Sequence, residues 1–93
     1  MIALSDFGRD LSSRSRARFL REHILKDAER VPDAVYTFDL AGVRTICHSF
    51  ADELFGILVV EMGEQWFKEH VVLENAENHT TFILETIARR LAR

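Results

Sequence analysis

Much that would place a chain quickly is missing from this one. Its 93 residues hold one cysteine, Cys47, so no intramolecular disulfide can form. The fold must be held by its core, and a reducing, cytoplasmic setting is expected. One proline and four scattered glycines leave no linker and no low-complexity tract. No glycine-rich phosphate loop exists either, so nucleotide binding by this chain is not expected. The longest apolar run, Leu54 to Val60, falls far short of the ~20 residues that a membrane span needs. Met1-Ile2-Ala3-Leu4 is followed by Asp6 without a basic flank, which does not read as a signal peptide. An excess of basic charge is also lacking. The net charge is −3 and the pI about 5.8, unlike a nucleic-acid module with its clustered basic face.

What is present is core-forming material. The hydrophobic fraction is 47%, with seven Phe, one Trp and one Tyr. That is enough for one domain spanning residues 1–93, which at this length buries roughly 60–65% of its unfolded surface. Charge is divided unevenly. Residues 1–30 carry seven Arg/Lys against five Asp/Glu, and residues 31–93 carry five against ten. Arg14, Arg18 and Arg21 share one face of a predicted helix, and Ala17, Leu20, Ile24 and Ala28 share another. A solvated basic face is the plain expectation, with an acidic partner as the alternative.

Periodicity divides the chain into alternating elements. Ile2–Ser5 reads as a strand, and Phe7-Gly8-Arg9-Asp10 as a turn. A helix over Arg14–Glu29, N-capped by Ser12 or Ser13, stops before Val31-Pro32. Ala34–Asp39 is a second strand, Ala41-Gly42 breaks it, and Val43–Ile46 is a short extended return. Ser49 is then expected to N-cap a central helix, with Asp52 three residues on completing a capping box. Asp52 and Glu53 would suit the positive end of its dipole. Ala51, Leu54, Phe55, Leu58 and Met62 fall on one face, and Gly63 fits the C-terminal stop. Glu69–Leu73 reads as the third strand and Asn78–Ala92 as the last helix, its final arginines facing the dipole's negative end. The expected fold is α/β, in the order β-α-β-α-β-α, with a mostly parallel sheet and helices mainly on one face. The other face would hold Val35, Thr37, His70 and Val72. It is a candidate docking surface, a homodimer among its uses.

One string of residues resembles a known family. The strand ending in Asp39-Leu40-Ala41-Gly42-Val43, then Ile46 and Ser49-Phe50-Ala51-Asp52-Glu53-Leu54-Phe55-Gly56, looks like the STAS-like family of unknown function. That family is related to the STAS domain of sulfate transporters and anti-sigma factor antagonists. Ser13-Arg14 with Ala17 resembles its helix entry. The resemblance implies a small bacterial STAS-like signalling domain that is not an enzyme and carries no cofactor or metal. It also implies a protein partner, an ATPase or kinase of the GHKL type, rather than nucleic acid or membrane. Switch-type relatives carry Asp-Ser-Ser-Gly or Asp-Ser-Thr-Gly at the loop before the central helix. Here the window is Cys47-His48-Ser49-Phe50. The phosphorylated position falls on His48, and Ser49 takes the second hydroxyl position.

The candidate docking or phospho-switch stretch is therefore the loop and helix start at 46–53. Its residues are His48, Ser49, Phe50, Asp52 and Glu53, with Asp39 and Arg14 in support. A second reading stays open from the residues alone. Asp39, His48, Ser49 and Asp52 could line a ligand-binding or catalytic cleft at the strand ends, where open α/β sheets place ligands. The four histidines lack metal-ligand spacing, and Cys47 and His48, adjacent on an extended chain, point apart.

Overall fold

Strand alternation sends every second residue to the same side, and two short apolar runs thereby build the centre of the fold. In the computed structural model, which describes residues 1–93, β1 (Ile2–Ala3) and β5 (Val71–Glu74) flank β3 (Tyr36–Asp39). Both pair with it in parallel. Tyr36 lies beside Val71, and Phe38 lies between Ile2 and Leu73. These residues face the helices, with Phe38 wholly buried. Thr37, Asp39, Val72 and Glu74 take the opposite parity and face away.

A second, two-stranded parallel sheet joins β2 (Asp10–Leu11) to β4 (Thr45–Ile46). The Asp10 carboxylate accepts from Arg44 Nε at 3.0 Å and from Thr45 Oγ1 at 2.7 Å. The Arg44 guanidinium and then the Thr45 hydroxyl hold its pKa down at about 2. Asp10 was expected in a turn. Two residues are too few to show alternation, and this strand exists only through its distant partner.

The helices follow from caps and phase. In α1 (Arg14–Arg30) the Ser13 hydroxyl accepts from the Arg16 amide at 3.2 Å, so Ser13 is the cap. The helix ends at Val31, ahead of Pro32. The central rod is α2 (His48–Ala51), a π-helical turn over Asp52–Gly56, and α3 (Ile57–Met62), with helical dihedrals at both joints. Gly63, at φ 95°, ends it. Ser49 is not its cap. Cys47 occupies the N-cap position and makes no side-chain capping bond. The cause lies in β4: the Cys47 amide donates to the Leu11 carbonyl at 2.9 Å. The chain therefore stays extended through Cys47 and turns helical at His48, one residue before Ser49.

The third strand also begins later than expected. Glu64–His70 forms α4, and the Val71 amide still donates to the Phe67 carbonyl. Glu69 and His70 thus belong to the helix, and β5 starts at Val71. The last helix, α5 (Thr80–Leu91), buries Ile83, Thr86 and Ile87. Phe55 joins the layers, edge-to-face with Phe38 at 5.2 Å and with Phe67 at 6.3 Å between centroids.

The π turn winds one extra residue into the rod and buries all of Asp52–Gly56. Gly56 is required there by space. A Cβ would lie 2.8 Å from Asp52 Oδ1 and 3.3 Å from Arg90 Cβ. Gly56→Ala is expected to lower unfolding stability by about 1–3 kcal/mol, measured by urea denaturation. An unchanged or raised midpoint would contradict this packing.

Candidate functional site

The π turn carries two adjacent carboxylates inward. Asp52 is 1% exposed and Glu53 is 5% exposed. A buried charge is tolerable only when it is paired and hydrogen-bonded. Their partners come from opposite sides, because adjacent helical positions point apart. Glu53 reaches α1: its Oε1 accepts from Arg14 Nη1 at 2.9 Å, and its Oε2 from Arg21 Nη1 at 2.7 Å. Arg18 Nε adds a longer contact at 3.5 Å. Arg21 Nη1 also donates to the Glu53 carbonyl, a backbone group of the π turn. Asp52 reaches α5, where Arg90 grips it with Nε at 2.9 Å and with Nη2 on the other oxygen. Arg14 Nη1 lies 3.5 Å from Asp52 Oδ2 and so bridges both acids.

The energetics follow from that geometry. The Arg90 hydrogen bonds hold the Asp52 carboxyl below its ordinary pKa, against the opposing effect of burial. Burial pushes Glu53 upward, but hydrogen bonds from Arg21 and Arg14 with the nearby positive charge outweigh it, and the net shift is downward. Arg14 is held more firmly protonated by Glu53, and Arg90 by Asp52. Arg21 itself is only 8% exposed. The basic stripe of α1 is therefore only partly a solvated face, with Arg14 and Arg18 exposed and Arg21 buried. It is the anchor of the central rod.

The candidate residues separate into two groups. Arg14, Asp52 and Glu53 converge in the ion cluster, and Phe50 lies in the hydrophobic core. Phe50, Asp52 and Glu53, expected in a docking surface, are buried. His48 and Ser49 are half-buried at the start of the rod. The Cys47 thiol points at the Ser12 carbonyl, 3.7 Å away, which ties this start to that of α1. His48 Nδ1 is enclosed and has no hydrogen-bond partner in the chain. Asp39 serves a turn instead. It accepts from Asn75 Nδ2 at 2.8 Å and from the Ala41 amide at 3.0 Å, and these bonds lower its pKa. It shares no hydrogen bond with the other candidates.

Three arginines of the cluster, Arg18, Arg21 and Arg90, were not among the candidate site residues, although Arg18 and Arg21 were placed on the basic face of α1. Arg90 follows Ile83, Thr86 and Ile87 at helical spacing, so the phase of α5 turns it inward while Arg89 turns out. Chemically, the cluster is closed. Carboxylates this firmly ion-paired are poor proton acceptors near neutral pH. No three His, Cys, Asp or Glu side chains converge as metal ligands. Of two surface clefts, one is bordered by Arg90 and the other by none of the cluster residues, and neither is lined by Asp52 or Glu53.

The parallel sheet with its buried central helix defines a small STAS-like α/β domain. Residues 16–81 match the family profile described as STAS-like domain of unknown function (DUF4325), and the chain belongs to that family. The match takes in Arg18, Arg21, Asp52 and Glu53, but not Arg14 or Arg90. No curated protein and no solved structure matches the chain. None of its helices is long and apolar enough to cross a membrane.

Two outcomes test the cluster. Glu53→Gln leaves buried Arg21 with only the longer contact to Glu61, 3.8 Å away, and is expected to cost about 3–5 kcal/mol, whereas Arg18→Ala, at an exposed arm, should cost less than about 1 kcal/mol. Urea midpoints of the two variants check the contrast, and equal losses would refute it. Both carboxyl pKa values are depressed in the fold, so their stabilising contribution is complete above the ordinary values of 3.8 and 4.5. It is lost as pH falls through the lower folded values. The fall in stability on acidification should be shallower in Glu53→Gln than in the wild type.

Proposed function

We propose that this domain is a non-enzymatic regulatory interaction module. In this reading it resembles an anti-sigma factor antagonist and docks a GHKL-type ATPase or kinase through the start of its central helix. The observation that carries the reading is the division of the 46–53 stretch. Every carboxylate of that stretch is buried in ion pairs, while His48 and Ser49 remain at the surface. A contact surface needs the second property, and an acid–base site would need the first to be otherwise. Family membership supports the same class.

The contact surface then consists of His48 and Ser49 with their neighbours Ser12, Arg14 and Thr45, all at least partly accessible. Phe50, Asp52 and Glu53 act beneath it by holding the helix start in position. A phosphate on Ser49 or His48 would add about −1.5 to −2 charge at this edge and alter docking. The catalytic or ligand-binding reading loses its geometry, because Asp39 is tied to Asn75 and Asp52 to Arg90.

Capture of partners from the native source tests the proposal, using the wild type beside His48→Glu and Ser49→Glu. An ATPase retained by the wild type and lost by either variant is the expected result. Undiminished capture by both variants would remove the docking surface from this edge. Intact mass after incubation with that partner and ATP separates phosphorylation from docking alone.

A further inference from the structure

The carboxylates of the ion cluster are enclosed, but two of the arginines that enclose them are not. Arg14 spends one nitrogen, Nη1, on both acids, and its Nε and Nη2 donate to nothing in the chain. Arg18 touches Glu53 only through Nε, at 3.5 Å, and both of its Nη atoms are free. The two side chains are 43% and 55% exposed. Arg14 lies on Oε1 of Glu53 and Arg18 on Oε2. Two guanidinium groups thus stand side by side at the surface, each with unused donors.

The whole cluster is short of acceptors. Arg14, Arg18, Arg21 and Arg90 surround Asp52 and Glu53, and Arg93 adds its charge to the field on Asp52. One further carboxylate approaches: Glu61 Oε1 stands 3.8 Å from Arg21 Nε, too far for a hydrogen bond. That Nε is enclosed and has no acceptor. Five arginines therefore face three carboxylates, a positive surplus in a chain whose net charge is −3. Arg14 and Arg18 are one helical turn apart, about 6 Å along the axis, and repel each other. Glu53, already shared with Arg21, relieves that repulsion only in part.

We propose, resting on the docking reading above, that the missing acceptor is an acidic segment of the partner protein, whose Glu or Asp carboxylate bridges Arg14 and Arg18 from the solvent side as Glu53 does from within. Ser49 precedes Asp52 and Glu53 by one turn of the rod, which sets Arg14 beside the proposed contact edge. The free guanidinium edges offer planar pairs of donors, the geometry that a carboxylate accepts. Docking there leaves the joint intact, because Arg14 Nη1 and Arg18 Nε stay on Glu53. The patch is also short. Glu22 follows Arg18 by one turn and pairs with neither arginine, and Asp27 and Glu29 lie beyond it. A nucleic acid needs a longer run of cations than this, whereas a single carboxylate needs only these two.

The test titrates the full chain with an alanine-based helical peptide carrying glutamates one turn apart, and follows the arginine Nε–H signals by NMR. At low salt the Arg14 and Arg18 signals are expected to shift saturably, and the effect should fade as salt is raised. The same peptide with glutamine in place of glutamate should do nothing. Arg18→Ala, which keeps the fold, should weaken the peptide about fivefold or more. Arg16→Ala, whose guanidinium donates to the Phe7 carbonyl instead, should bind as the wild type does. No saturable shift, or an equal response to the glutamine peptide, would overturn the acidic site. So would tighter binding of an oligothymidylate or of inorganic phosphate, which would make the occupant a phosphate group. Capture from the native source separates this site from the docking reading. An ATPase lost by His48→Glu but fully retained by Arg18→Ala would overturn the acidic contact alone. A wild type that binds the glutamate peptide at these arginines but captures no ATPase would fail the docking reading and leave the acidic site standing.

Discussion

The burial of Asp52 and Glu53 is the constraint on which the rest of this structure depends. Two adjacent carboxylates on a central helix can be inside only if cations follow them from both sides. Arg14 and Arg21 come from α1, and Arg90 comes from α5. The cluster is thus a three-way joint between elements far apart in sequence. It fixes the azimuth of the rod, since any rotation would leave charge unpaired in the core. It also accounts for the π turn. Arg21 donates to the Glu53 carbonyl, taking up a backbone acceptor in a helix whose ladder is locally rewound.

This joint positions the surface that the proposed function uses. The rod starts where the extended β4 ends, and the Cys47 amide is fixed to β2 by the Leu11 carbonyl. One helical turn later the acids are locked to α1 and α5. His48 and Ser49 are held between these two attachments, with little freedom to reorient. A preorganised contact loses less entropy on binding than a flexible loop would. In the proposed function, stability and recognition are served by neighbouring residues of one stretch, the buried ones holding the half-buried ones in place.

Much of the fold was legible in the sequence because its signals are periodic. The apolar phase of Ala51, Leu54, Phe55 and Leu58 marked the central helix, and each of these residues is fully buried. Ser13 ahead of Arg14 marked the start of α1, and Gly63 the end of the rod. The parallel order of strands and the STAS-like family were legible too, the latter from the string around Ser49–Gly56. Features made by distant partners were not. The β2–β4 pair is two residues long and depends on contacts across the chain. The start of β5 was misplaced because Glu69 and His70 suit a helix end as well as a strand. Ser49 carries the right chemistry for a cap, but the strand before it ends two residues too early. At the site, Asp52 and Glu53 were read as first-turn acids near the surface. Sequence spacing shows that Arg14, Arg18 and Arg21 share a face, but not that this face meets a carboxylate.

A double-mutant cycle between Glu53 and Arg21 tests the joint most directly. It compares the wild type, Glu53→Gln, Arg21→Met and the double variant by urea denaturation. If the buried pair holds the rod, the double variant should be markedly less damaged than the two single losses added together. A coupling of about 2 kcal/mol or more is expected, since contacting charged residues couple by 0.5–3 kcal/mol. Additive losses, with coupling near zero, would mean that the two side chains are neighbours without mutual dependence, and the account built on them would fail.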